Sequence, residues 1–358
     1  MIKVLVLTKY SRMGASSRLR ALQYVPYFRA NGFDMEVFEL FGDAYLSSLY
    51  KTSRRSPFRV VVYYVKRLLV LLQAGKYQAV WIEKELFPFF PAFFERLLRM
   101  FGVNYLVDYD DAIFHNYDLS RHRWVRCLLG TKIDKVMKAS NLVVVGNEYL
   151  AGRARLSGAA RVEIVPTVVD CNRYDVALRP EGQQLVIGWI GSPSTQKYVV
   201  EIYDALINVC ERYGARLKLV GATPDVASQL SGIEVEVVPW SEESEARLIQ
   251  QMDVGIMPLS DGPWEKGKCG YKLIQYMACS VPVVASPVGV NVEIVTTSCS
   301  GLLAGDNDEW QHALSQLLGN REERARLGSN GRATVETRYS LQAQAPVLEK
   351  LLRSIISC

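Results

Sequence analysis

The residues best suited to chemistry stand late in the chain. In Asp261-Gly262-Pro263-Trp264-Glu265-Lys266-Gly267-Lys268-Cys269-Gly270-Tyr271-Lys272-Leu273-Ile274-Gln275, Gly267 and Gly270 and three lysines come just before a helical pattern with an apolar face. Glycines free the backbone to wrap an anion, and a helix start offers unbonded N–H groups and a positive dipole end. Lys268 or Lys272 adds charge at the same helix end, and Gln275, three residues beyond Lys272 on roughly the same face, suits a neutral diol such as a ribose. A second loop, Gly188-Trp189-Ile190-Gly191-Ser192-Pro193-Ser194-Thr195-Gln196-Lys197, leaves a strand and opens a helix. Gly191 permits close backbone approach, Ser194 or Thr195 is the expected cap, and Lys197 sits where a cation is unfavourable unless an anion is bound.

Two earlier loops are weaker candidates. Lys9-Tyr10-Ser11-Arg12-Met13-Gly14-Ala15-Ser16-Ser17-Arg18 follows the first strand pattern, with Gly14 and Arg18 as candidate substrate contacts and Ser16 or Ser17 as a helix cap. Asp108, Asp110 and Asp111 put three carboxylates within four residues at a strand end. Such a group can hold a divalent cation, face a substrate hydroxyl, or make a structural turn; no second acidic or histidine-rich cluster supports a metal. His115, one of three histidines, is read as structural.

The elements that must position these loops alternate. Short β-branched runs (Val4–Leu7, Asp34–Leu40, Ala79–Ile82, Tyr105–Val107, Leu142–Val145, Val162–Val165) are separated by helical patterns that include Ser16–Arg29, Pro57–Ala74 and Arg121–Lys138. This predicts right-handed βαβ units and a parallel sheet covered on both faces. The alternation stops at a polar stretch, 171–184, and restarts at Leu185–Ile190, with further strands at Leu217–Val220, Val235–Val238, Val254–Met257 and Val281–Ala285 and helices to the end. The expected fold class is α/β, with a Rossmann-like domain over 1–170, a linker over 171–184, a second Rossmann-like domain over 185–340 and a last helix over 341–358. Ligands of such sheets bind outside the carboxyl ends of the strands, and two such ends facing across a cleft can close and exclude water. Trp240, after a strand end, is a candidate wall for a base.

Composition agrees with two soluble-type domains: 358 residues, 49% hydrophobic and 22% charged, with net charge +5. Seven cysteines, none closer than ten residues to another, form no C-x-x-C pair and are expected to be reduced thiols of a cytoplasmic protein. No apolar run reaches 18 residues, so no transmembrane helix is expected. There is no G-x-G-x-x-G and no G-x-x-x-x-G-K-[ST], which argues against a dinucleotide oxidoreductase and a P-loop NTPase. From Ala44 through Ile82 seven bases and no acid flank strongly apolar runs. The stretch from residue 51 to 76 is either a core-facing helix with wet cations or a contact for an anionic membrane surface. Nothing points to nucleic acid.

The run Gly270-Tyr271-Lys272-Leu273-Ile274-Gln275-Tyr276-Met277-Ala278-Cys279-Ser280-Val281-Pro282-Val283-Val284-Ala285-Ser286-Pro287-Val288-Gly289 resembles the nucleotide-sugar signature of GT-B glycosyltransferases of family GT4. Asp253-Val254-Gly255-Ile256-Met257-Pro258-Leu259 upstream fits it too, as do Val144–Leu150 and Val165–Asp170, more weakly. The resemblance implies a retaining transferase of two Rossmann-like domains facing each other. The second holds the nucleotide and the first the acceptor, the last helix crosses back onto the first, and no metal or other cofactor is required. It also implies departures. Of the family's two glutamates spaced E-x7-E, the second matches Gln275 and the first matches Gly267, so Glu265 is a candidate replacement. Lys197 matches the family lysine, while Ser192 stands at the arginine position and Asp110 at the acceptor-side histidine. The implied roles are Lys197, Lys272 and the Gly270 amides on the diphosphate, Gln275 on the ribose, and Asp110 on an acceptor hydroxyl. The basic apolar stretch from residue 51 to 76 suggests a lipid-linked acceptor at the inner membrane face, in surface-polysaccharide or lipopolysaccharide assembly. A sugar-nucleotide epimerase on the same fold, or an inactive nucleotide-sugar binder, are the alternatives.

Overall fold

A computed structural model describes residues 1–45, 57–176 and 182–356. Lys51, Arg54 and Arg55 of the basic stretch, part of the expected linker, and Cys358 lie outside the described residues. The chain divides into two compact units. One comprises 1–167, 267–269 and 344–358, and the other 168–266 and 270–343.

The first unit is built on a six-stranded sheet of β1 (Ile2–Tyr10), β2 (Phe33–Phe41), β3 (Ala79–Glu83), β4 (Tyr105–Tyr109), β5 (Leu142–Val145) and β6 (Val162–Ile164). Its order is β2-β1-β3-β4-β5-β6, and every pair is parallel. Val4–Leu7, Ala79–Ile82 and Leu142–Val145 are buried throughout, because helices cover both faces of a parallel sheet. The helical pattern Ser16–Arg29 is not one helix. It is Ala15–Arg20, a 3-10 turn and Val25–Ala30, the last opening at Pro26, whose missing N–H is tolerated only at a helix start. Arg121–Lys138 likewise divides, at Gly130, into Arg123–Leu129 and Lys132–Ala139. The closing helix Leu341–Ile356 buries Ala345, Leu348, Leu351, Leu352 and Ile355. From Gln344 onward it belongs to the first unit, where Glu349 accepts from Tyr27 at 2.9 Å and Ser354 from Arg161 at 2.7 Å.

The second unit repeats the plan with β7 (Val186–Ile190), β8 (Arg216–Val220), β9 (Val235–Val238), β10 (Val254–Met257), β11 (Val283–Ala285) and β12 (Gly301–Leu303), in the order β12-β11-β10-β7-β8-β9, all parallel. The strand order reverses between β1 and β3 in one unit and between β7 and β10 in the other. These are the switch points where open α/β sheets leave a crevice at the strand exits.

Candidate functional site

In the second unit the switch point gathers the expected residues. β7 ends at Ile190, whose amide donates to the Tyr276 hydroxyl at 2.9 Å. That bond ties the strand exit to the helix Tyr271–Ala278, which Gly270 opens at φ +66, a conformation that favours glycine. In its first turn, Lys272 lays its ammonium over the Trp189 ring, 4.3 Å from the centroid, and 3.5 Å from Thr195 Oγ1. A side chain at Gly191 would meet Lys272 Nζ at 2.7 Å and the Trp189 ring at 2.3 Å, so glycine is required there. Gly191, Thr195, Gly270 and Lys272 therefore form one glycine–lysine corner. Ser192, not Ser194 or Thr195, caps the turn that follows, through a reciprocal capping box with Thr195. Lys197 begins its helix exposed, its ammonium 4.8 Å from the Tyr198 ring.

Gln275 is buried and donates to the Tyr174 hydroxyl at 3.1 Å. Tyr174 donates to Glu245 at 2.6 Å, and Glu245 also accepts from the Trp240 indole at 2.9 Å. Gln275 and Trp240, expected to face ribose and base, are thus joined by two groups that motif spacing does not single out. Their only sequence signal is the run of acids at Glu242, Glu243 and Glu245. Burial, helped by Tyr271 and Glu245, pushes the Tyr174 phenol well above its usual range, so it stays a neutral donor. Glu265 accepts from the Tyr198 hydroxyl. A separate cavity of about 550 Å³ lies at the exits of β10 and β11, lined by Tyr198, Glu201, Asp261, Ser286 and Asn307 among others, and includes neither Lys272 nor Gln275.

In the first unit, charged residues crowd the exits of β1, β3 and β4. Arg20 grips Asp108 with two nitrogens, at 2.7 and 3.2 Å, and bonds the Val165 carbonyl at 2.7 Å. Lys84, held at φ +66 just past β3, sends Nζ to Asp110 at 2.9 Å, Asp111 at 3.5 Å and Ser16 Oγ at 2.8 Å. Ser16 and Ser17 do not cap the helix, whose N-cap is Gly14. Ser17 instead donates to the buried Glu83 carboxylate at 2.5 Å. Gly14 has no room for a side chain, since a Cβ would stand 2.4 Å from Tyr10 Cβ. Arg18 is buried and bonds the Arg12 carbonyl at 3.0 Å. Burial opposes the Asp110 charge, but Lys84, Ser16 and Arg20 outweigh it and hold the carboxyl below its usual range. Burial and Asp110 together push Asp111 up. Burial, against Arg20, raises Asp108 to about 6. Among the described residues, Thr8 Oγ1 and Glu83 Oε1 are buried without a hydrogen-bond partner.

Residues 267–269 belong to this first unit. The Asn147 amide donates to the carbonyls of Gly267 at 3.1 Å and Lys268 at 2.9 Å. A Cβ on Gly267 would stand 2.4 Å from Ala112 Cβ and 2.8 Å from its amide nitrogen, so no glutamate fits where the resemblance would put one. Lys268 acts electrostatically on Asp111, lowering its carboxyl pKa. His115 is bound between Asp118 at 2.8 Å and the Tyr149 hydroxyl at 2.9 Å. Among the described residues no group of three His, Cys, Asp or Glu is placed to hold a metal ion.

Two parallel sheets with crevices at their switch points define a two-unit Rossmann-like protein, and the solved structures agree. Sucrose-phosphate synthase from Thermosynechococcus elongatus superposes over 100% of both chains with TM-score 0.76 at 16% identity. Anabaena HepE in complex with UDP-glucose covers 99% of this chain and 100% of its own, with TM-score 0.74 at 15% identity. Residues 184–320 match the family model of group 1 glycosyl transferases. The GDP-mannose-dependent monoacylated alpha-(1-6)-phosphatidylinositol monomannoside mannosyltransferase of Corynebacterium glutamicum is 34% identical over 86 residues, 24% of this chain and 23% of that protein. The alignments to curated relatives span about a fifth of each relative's length. The chain has the GT-B fold, and its residues 184–320 are similar to group 1 glycosyl transferases.

Proposed function

We propose that the protein is a retaining glycosyltransferase of the GT4 kind that moves a sugar from a nucleoside diphosphate sugar to the hydroxyl of a lipid-linked acceptor. The observation that carries this is the corner of Gly191, Thr195, Gly270 and Lys272 at the second unit's switch point. Its cation and amides suit a diphosphate whose charge grows as the sugar leaves, and stabilising that charge is the largest catalytic contribution expected. Lys197 adds a second cation. Gln275, held by Tyr174, suits the ribose, and Trp240, held by Glu245, suits the base. Asp110, kept ionised by Lys84, would orient the acceptor hydroxyl. Cations and amides carry the diphosphate in this reading, and no metal is invoked.

Two observations favour a lipid acceptor. The Corynebacterium relative acts, by its name, on a phosphatidylinositol mannoside. The helix Pro57–Leu71 exposes Phe58, Val61, Val62, Val65 and Leu69 on one face beside exposed Arg59 and Lys66, the make-up of a helix lying on an anionic surface. No described helix is long and apolar enough to cross a membrane. This supports peripheral attachment at the inner face, and assembly of surface polysaccharide is the fitting setting.

The test is thermal unfolding with a panel of nucleoside diphosphates and their sugars. A ligand at 100 times its Kd should add about 2.7 kcal/mol of stability. Lys272→Met, which keeps the packing on Trp189, should abolish the shift, and an unchanged shift would remove Lys272 from the site. Binding without acceptor-dependent nucleotide release would leave a sensor rather than a transferase.

A further inference from the structure

We propose that the turn Phe87-Pro88-Phe89-Phe90, continued by Phe93, is a bilayer-insertion site whose occupant is the headgroup–acyl boundary of an anionic membrane. It rests on the peripheral reading above but uses residues outside the basic helical stretch. Phe89, Phe90 and Phe93 are 55%, 41% and 54% exposed, an unusual grouping of aromatic surface. Phe89 also takes φ +58, a conformation that a phenylalanine adopts only when its surroundings impose it.

Those surroundings are explicit. The Phe89 amide donates to the Tyr117 hydroxyl at 3.0 Å, and Tyr117 donates to Glu85 at 2.7 Å. Lys132, ion-paired with Glu85, donates to the Phe87 carbonyl at 2.6 Å. The Phe90 amide closes the turn on the same carbonyl at 3.2 Å. Beneath it the buried Phe87 ring packs on Phe94 at 4.9 Å and Tyr64 at 5.1 Å. A buried charged network thus holds two phenyl rings outward on a rigid turn. Tyr64 belongs to the helix Pro57–Leu71 and also donates to the Pro88 carbonyl, which ties the turn to that helix.

Charge selects the occupant. From residue 57 to 107 the only acids, Glu83, Glu85 and Glu95, are all buried, while Arg59, Lys66, Lys76, Arg96 and Arg99 are exposed. Within this stretch of chain every exposed charge is a cation, and aromatic rings beside cations match lipid phosphates above acyl chains. A second copy of this surface would bring like charges together.

The experiment uses the full chain with vesicles of phosphatidylcholine, with and without 30% phosphatidylglycerol. Wild type should sediment with the anionic vesicles, and Phe89→Ser/Phe90→Ser should lose about tenfold or more of that partition. Phe90→Trp should gain emission that brominated acyl chains quench. The double variant should keep the nucleotide-induced thermal shift, which separates this proposal from the donor-site reading. Equal sedimentation of the double variant, or added emission in the Phe90→Trp variant that bromolipids leave untouched, would overturn insertion. So would a wild-type dimer that the double variant dissolves without changing vesicle binding.

Discussion

At the scale of single residues, the first unit's crevice is governed by buried carboxylates whose charges are set by neighbours. Asp108 binds its proton more tightly in the folded protein, up to about 6, than in the unfolded chain at 3.8. Its contribution to stability is therefore complete below about pH 4 and is lost as pH rises through about 6. The difference corresponds to about 3 kcal/mol for a fully buried group. Asn cannot titrate, so the stability of wild type minus that of Asp108→Asn should fall by up to that amount between pH 4 and pH 6.5. Urea unfolding at half-unit pH intervals reads this, and a flat difference would mean that Arg20 keeps Asp108 ionised throughout. Lys84 shows what spacing alone does not reveal. Nothing in Glu83-Lys84-Glu85 announces a buried cation in a left-handed conformation, because its partners Asp110 and Ser16 lie 26 and 68 positions away and only the pairing of β3 with β4 and with β1 brings them close. The glycine–lysine corner was legible because its key residues sit at strand exits and helix starts, which local pattern can locate.

At the scale of elements, the helix Tyr271–Ala278 does more than present Lys272. Tyr276 accepts the Ile190 amide and donates to the Ile256 carbonyl at 3.2 Å, so one buried hydroxyl joins the exits of β7 and β10. Tyr276→Phe leaves the Ile190 N–H without its partner in the core, which should cost about 1–3 kcal/mol. The denaturation midpoint should fall with an unchanged m-value, and nucleotide affinity should weaken because Gly191 follows Ile190 directly. A variant as stable as wild type would mean that water or backbone replaces the hydroxyl. Eleven of the twelve strands among the described residues lie where β-branched runs point, since strands buried on both faces are nearly continuous apolar sequence. The missed one, β12, is Gly301-Leu302-Leu303, which holds no β-branched residue and so leaves no β-branched run to mark it. Helix breaks were harder to read, because apolar periodicity runs on through Pro26 and Gly130 while the backbone does not. The aromatic turn at Phe89 was not legible either. Its exposure depends on Lys132, Glu85 and Tyr117 meeting across the fold.

At the scale of the whole molecule, the two units are not two consecutive pieces of chain. The first is completed by residues 344–358, which return after the second has been built. Ending the chain at 343 would strip Ala345, Leu348, Leu351, Leu352 and Ile355 from the first unit. At roughly 1.5–3 kcal/mol for each large apolar side chain, four of them account for about 6–12 kcal/mol. That equals the entire stability of a typical domain, about 5–15 kcal/mol. The truncated protein should therefore lose cooperative melting of its first unit, bind a hydrophobic dye and aggregate. The second unit keeps its complete sheet, so the nucleotide-dependent shift should survive in whatever remains soluble. Circular dichroism melts of the full chain and the 1–343 form, each with and without nucleotide, separate the two effects. If 1–343 melted like the full chain, the closing helix would be a surface attachment, and the first unit's core would be sufficient without it.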